Sequence, residues 1–148
     1  MPKVLIAYAS MSGHTEQMAR YIAEGVRISG CEAVVKNISK IKDAAELEGF
    51  DGYIFGSPTY YRDMAGNMKT FLFLGKKVNL EGKLAGAFGT NTHDGGAPAM
   101  VLETMEYIFK MEPFSLGCFD LKEAALDTRE GLRSCQDYGR VFGEKLGK

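Results

Sequence analysis

Lys3-Val4-Leu5-Ile6-Ala7-Tyr8-Ala9-Ser10-Met11-Ser12-Gly13-His14-Thr15 carries the chain from an unbroken apolar run into a hydroxyl-rich turn. A run that is apolar at consecutive positions predicts a strand covered on both faces, which is the situation of a strand inside a parallel sheet. A helix is expected next. Over residues 14–29 the apolar positions Thr15, Met18, Ala19, Ile22, Ala23 and Val26 recur every three or four residues, while Glu16, Gln17, Arg20, Glu24 and Arg27 take the other side. Gly30 ends the helix.

The same alternation continues outward from this unit. Residues 31–37 read as a second strand, residues 41–47 as a short helix and residues 51–56 as a third strand. Residues 68–74 are helical, and residues 83–89 form a small-residue strand whose glycines predict close approach of neighbouring backbone. Residues 97–111 return to helical spacing, with Met100, Val101, Met105, Ile108 and Phe109 as the inward stripe. Strand five is placed at residues 114–119. The last helix covers residues 129–146, with Leu132, Cys135, Tyr138, Val141, Phe142 and Leu146 inward.

Five strands alternating with helices predict an α/β fold with a parallel sheet, because right-handed crossovers place helices on both faces. No repeat or linker interrupts the pattern, so a single domain over residues 1–148 is expected. In a sheet of order 2-1-3-4-5 a ligand binds at the carboxyl ends of the strands, at the point between strands one and three where the order reverses. The loops after strands one, three and four are therefore the candidates for chemistry.

Composition narrows the classes. With 148 residues the chain can bury roughly 68–70% of the surface exposed when unfolded, so it needs no disulfide or structural metal. Its 18 basic and 19 acidic residues give a net charge of -1, too little field to gather nucleic acid or anionic lipid. Cys31, Cys118 and Cys135 form no Cys-x-x-Cys pair, and none is a metal ligand or nucleophile by its setting. A reduced, cytoplasmic chain is expected, with neither signal peptide nor membrane span.

After strand one, Ser10, Ser12 and Thr15 offer hydroxyl donors at the start of a helix, where amides and helix dipole favour an anion. No Gly-x-x-x-x-Gly-Lys-Ser/Thr occurs, so a phosphate monoester fits better than a triphosphate. A plain helix cap at Ser12 is the alternative. After strand three, Ser57-Pro58-Thr59-Tyr60-Tyr61-Arg62 sets two aromatics on a loop at the same sheet end, suited to a flat ring. Packing of one tyrosine back onto the protein is the competing reading. After strand four, Thr90-Asn91-Thr92-His93-Asp94-Gly95-Gly96 offers donors for a heterocycle edge, or simply an Asp-Gly turn. A phosphoacceptor receiver domain shares this architecture. It needs acids after strand one and an aspartate ending strand three, where this chain has Ala9-Ser10 and Gly56-Ser57.

Ser10-x-Ser12-Gly13-x-Thr15 resembles the phosphate loop of the flavodoxin family, and residues 57–61 and 90–96 resemble its two isoalloxazine loops. Gly56-Ser57-Pro58-Thr59 and Gly95-Gly96-Ala97 are similar to the flavodoxin domains of A-type flavoproteins. Met64-x-Gly66-x-Met68-Lys69-Thr70 is similar to flavodoxin-like NAD(P)H:quinone oxidoreductases. The resemblance implies a flavodoxin-like three-layer sandwich, non-covalent flavin mononucleotide (FMN) and transfer of electrons between transient redox partner proteins. An NAD(P)H-dependent quinone or FMN reductase using the same site is the alternative it implies. On this resemblance Ser10, Met11, Ser12, Gly13, His14 and Thr15 hold the phosphate, and Pro58, Thr59, Tyr60 and Tyr61 flank the ring. Asn91, Thr92, His93, Asp94 and Gly95 address its polar edge. The chain has no tryptophan, so a tyrosine must do any stacking.

Overall fold

The computed structural model describes residues 1–9, 13–60, 63–92 and 95–147. Five parallel strands, β1 (Lys3–Tyr8), β2 (Glu32–Asn37), β3 (Gly52–Gly56), β6 (Leu84–Asn91) and β7 (Glu112–Lys122), form one sheet in the order β2-β1-β3-β6-β7. Counted along the sheet this is the expected 2-1-3-4-5. Helices α1 (His14–Ile28) and α4 (Arg129–Leu146) pack together against one face, while α2 (Gly66–Gly75) and α3 (Ala97–Tyr107) belong to the other. β4 (Thr59–Tyr60) and β5 (Asp63–Met64) make a small antiparallel hairpin outside the main sheet.

The two apolar layers follow from strand alternation. Leu5 and Ala7 of β1 join Tyr53, Phe55 and the α2–α3 side chains, whereas Val4, Ile6 and Tyr8 join Met18, Ile22, Val26 and Phe142 of the α1–α4 side. Every residue of the expected α1 stripe, from Thr15 to Val26, is buried. The α1–α4 contact is close because glycines line it. A Cβ at Gly139 would lie 1.9 Å from the Ile22 carbonyl oxygen, and one at Gly25 would lie 1.9 Å from that of Gln136.

Several local expectations are corrected. Residues 41–47 are not an α-helix: Ile41 is extended after a 3₁₀ turn at Ile38–Lys40, and within the stretch only Ala44–Leu47 forms a 3₁₀ turn. The Glu46 carboxylate accepts the Lys42 and Asp43 amides at 2.9 and 3.0 Å and so begins a fresh turn, too short to propagate as an α-helix. Helix α3 stops at Tyr107 rather than residue 111. Val101, Met105 and Phe109 are buried as expected, but Met100 (39% exposed) and Ile108 (55%) face outward. On α4, Cys135, Tyr138 and Phe142 are buried, with Leu132, Val141 and Leu146 half-buried at the flanks.

Strand β7 extends beyond residues 114–119 and is broken in register. Ala85 pairs with Pro113 and Ala87 with Cys118, so Phe114 to Gly117 stand opposite Gly86 alone. Gly117, at φ 71°, turns the chain back into the ladder. Tyr138 of α4 fills the gap. Its hydroxyl accepts from the Ala87 amide at 3.2 Å and donates to the Gly117 carbonyl at 2.7 Å. Burial pushes this hydroxyl's pKa up, which keeps the donor in place.

Candidate functional site

The carboxyl ends of β1, β3 and β6 lie side by side, joined by hydrogen bonds from Ala9 N to Gly56 O (2.9 Å) and from Ser57 N to Phe88 O (3.1 Å). The three loops that leave them are tied together. Thr15, 2% exposed at the first turn of α1, has its Oγ1 3.2 Å from Thr90 Oγ1 at the end of β6. Thr59 Oγ1 accepts from the Ala97 amide, at 3.1 Å, where the third loop enters α3. These contacts bring the separate sequence segments to one rim.

On the first loop, Gly13 caps α1 at φ 90° with open space where a Cβ would stand. A side chain there would be strained by the backbone. Glu16 would oppose an anion at this helix start, but its charge is engaged. Its carboxylate accepts from the Tyr8 hydroxyl at 2.9 Å and pairs with Arg20 at 3.1 Å, and these contacts hold its pKa below the ordinary value. His14 Nδ1 lies 3.5 Å from Glu123 Oε1.

On the second loop, Ser57 is buried and its Oγ accepts from the Ala65 amide at 2.9 Å while donating to the Pro58 carbonyl at the same distance. It thereby closes the base of the β4–β5 hairpin. Pro58 is buried, Thr59 is half-buried and Tyr60 stands 43% exposed near the turn. Asp63 is ion-paired with Lys69 and accepts from the Met64 amide at 2.8 Å. Lys69 first, then that amide, holds its carboxyl below the usual range. On the third loop Asn91 is buried and Thr92 and Gly95 are exposed. Asn91 Nδ2 donates to Asp120 Oδ1 at 2.7 Å.

Of the residues expected in the site, Gly13, His14, Thr15, Pro58, Thr59, Tyr60, Asn91, Thr92 and Gly95 fall on these three loops. Ser10, Met11, Ser12, Tyr61, Arg62, His93 and Asp94 lie outside the described residues. In the sequence Ser57 and Thr90 are legible only as members of their loops and Asp120 is not singled out; the structure sets Ser57 beneath the hairpin, Thr90 against Thr15, and Asp120 against Asn91. Asp120 alternates with the half-buried Phe119 and Leu121 along β7, a pattern that marks it as belonging to the other face. Two open clefts of about 530 Å³ lie away from the rim. One is at the opposite end of the sheet beside Met1, Asp51 and Lys145, and the other beside α2 at Ile41 and Phe73.

A doubly wound sheet with three loops drawn together at its strand ends defines an α/β protein of the ligand-binding type. A flavodoxin-domain family model matches residues 5–127. A flavodoxin of Clostridium saccharobutylicum is 38% identical over 152 aligned residues, covering 97% of this chain and 94% of that one. A flavodoxin structure from the domain Archaea superposes with a TM-score of 0.88 at 28% identity, over 99% of both chains. A flavodiiron core from Synechocystis superposes with a TM-score of 0.84 at 26% identity, over 99% of this chain but 36% of that one. The chain belongs to the flavodoxin family, and FMN is the cofactor that membership implies.

The donor set fits that group. Thr15 and Thr90 share one hydrogen bond between two hydroxyls, so one of their two protons has no acceptor among the described residues. Either hydroxyl can be the donor of the shared bond, so that proton lies where Thr15 of α1 meets Thr90 of β6, beside a helix start whose dipole favours negative charge. No helix among the described residues is long and apolar enough to cross a membrane, and no described cluster of His, Cys, Asp and Glu could hold a metal ion.

Proposed function

We propose that the chain is an electron carrier that binds FMN non-covalently at this rim and passes electrons between transient redox partner proteins in the cytoplasm. The observation that carries the reading is the Thr15–Thr90 contact, which draws the helix-start loop and the ring-edge loop to one place, with one hydroxyl proton that has no acceptor among the described residues. Bound FMN supplies reversible one- and two-electron redox chemistry. The protein's share is to bind, orient and screen.

In this reading the loop of Ser10, Met11, Ser12, Gly13, His14 and Thr15 holds the phosphate through hydroxyl and backbone donors, without a lysine. Pro58 and Ser57 fix the direction of the second loop, so that Thr59, Tyr60 and Tyr61 meet the ring face. Asn91, Thr92, His93, Asp94 and Gly95 meet the polar edge. Tyr60, being partly exposed, stands at the boundary between ring and solvent where a partner would approach.

The test is the purified protein itself. Its visible spectrum and the mass of the released ligand should identify FMN at one per chain. Under steady-state conditions with NADPH and a quinone, it should turn over only when a separate reductase is added. Rapid NADPH oxidation without one would replace the carrier with a quinone reductase, and a colourless protein that takes up no added FMN would defeat both.

A further inference from the structure

We propose that Asp120, on the edge strand, is the positioning residue for the loop that meets the ring edge. The inference rests on the FMN reading and concerns what holds that loop, not what touches the cofactor. Asp120 Oδ1 accepts the Asn91 amide hydrogen at 2.7 Å, at the point where β6 gives way to the loop. At the far side of the loop, a Cβ built on Gly95 would lie 1.6 Å from Asp120 Oδ2. One carboxylate thus grips the loop's beginning with one oxygen and lies against its end with the other.

Gly95 has no left-handed φ, so its backbone conformation does not demand glycine. What a methyl group would meet there is the Asp120 carboxylate, which would have to swing aside. Among the described residues no lysine or arginine pairs with Asp120, and its side-chain hydrogen bond there is the one from Asn91. The contact spans 29 residues of sequence and joins two adjacent strands at their carboxyl ends. Three residues further on, Glu123 faces His14 at 3.5 Å, so the same segment also reaches the helix-start loop.

A hydrogen bond to a charged group contributes enough that its loss should weaken flavin by about tenfold. Asp120→Ala should therefore weaken FMN and riboflavin by the same factor, because the phosphate loop is untouched, with the thermal midpoint of the flavin-free protein unchanged. Asp120→Asn keeps an oxygen that can accept from Asn91 and should bind both flavins nearly as the parent does. Gly95→Ala should weaken both in the parent, by driving the carboxylate off Asn91, yet add little in the Asp120→Ala background. Amide hydrogen exchange of residues 91–96 in the flavin-free protein should quicken in Asp120→Ala and not in Asp120→Asn.

Parent-like flavin affinity and exchange in Asp120→Ala would overturn the proposal. So would independent, additive losses from Gly95→Ala and Asp120→Ala. If the parent protein takes up no flavin, it is the FMN reading that fails. The exchange of residues 91–96 then decides Asp120 by itself, with quickening in Asp120→Ala upholding the role and no change refuting it.

Discussion

Thr15 and Thr90 are 75 positions apart in the chain, yet their hydroxyl oxygens meet at 3.2 Å beneath the rim of the sheet. Thr15 begins a helix and Thr90 ends a strand, so the contact fixes the spacing between two loops that a single ligand must span. Because both groups are hydroxyls, either can give up the shared hydrogen bond to serve a ligand without leaving a buried charge.

Replacing Thr15 by valine removes a donor while keeping the branched shape. FMN affinity should fall roughly 10- to 100-fold, the scale of a hydrogen bond to a charged group, while riboflavin affinity should change little. Quenching of flavin fluorescence on titration with protein measures both. Equal loss for the two flavins would place the phosphate in another loop.

Tyr138→Phe deletes the hydroxyl that closes the break in the β6–β7 ladder and strands the Ala87 amide in a buried setting and the Gly117 carbonyl in a half-buried one. Unfolding in urea should show a loss of about 1–3 kcal/mol. Stability equal to that of the parent would mean that water enters the gap at no cost.

Gly139→Ala places a methyl group where the Ile22 carbonyl lies 1.9 Å away, and neither helix backbone can yield without parting the pair. A loss of about 1–3 kcal/mol is expected from overpacking. Gly66→Ala, at a helix start with open space around it, should be neutral or slightly stabilising. Comparison of the two thermal midpoints separates packing from the general effect of adding a methyl group.

Cys135 is buried on α4, and burial pushes its thiol from 9.0 up to about 12. Between those values the unfolded chain gives up a proton that the folded chain keeps, so stability falls as pH rises, and the full contribution is present only below about pH 9. Denaturation of the flavin-free protein at several pH values from 8 to 11 should show this decline. In Cys135→Ala the slope should be shallower by up to about 1.4 kcal/mol per pH unit. An identical slope in both proteins would mean that the thiol ionises as readily in the fold as outside it.

Much of the fold was legible because its signals are local. The stripe from Thr15 to Val26 and the apolar run of β1 report directly on what each element faces. Loop placement at the rim was legible too, because strand order in a doubly wound sheet dictates which loops share an end. What escaped depends on partners distant in sequence. The periodicity of residues 97–111 gave Ile108 to the core, but α3 ends before it and the turn at Lys110 leaves it outside. Nothing in Phe114-Ser115-Leu116-Gly117 announces that these residues face a single glycine, since the register belongs to β6. Asp120 was invisible as a loop support for the same reason: its acceptor role exists only once β7 is laid beside Asn91.

Strand β7 is also one of the two outer margins of the sheet, where unsatisfied backbone could recruit a second polypeptide into cross-chain polymer. The detour from Phe114 to Gly117 interrupts the straight row such a newcomer would need, and Asp120 and Lys122 set alternating charges along what remains. Both features make this margin a poor template for the addition of a further strand.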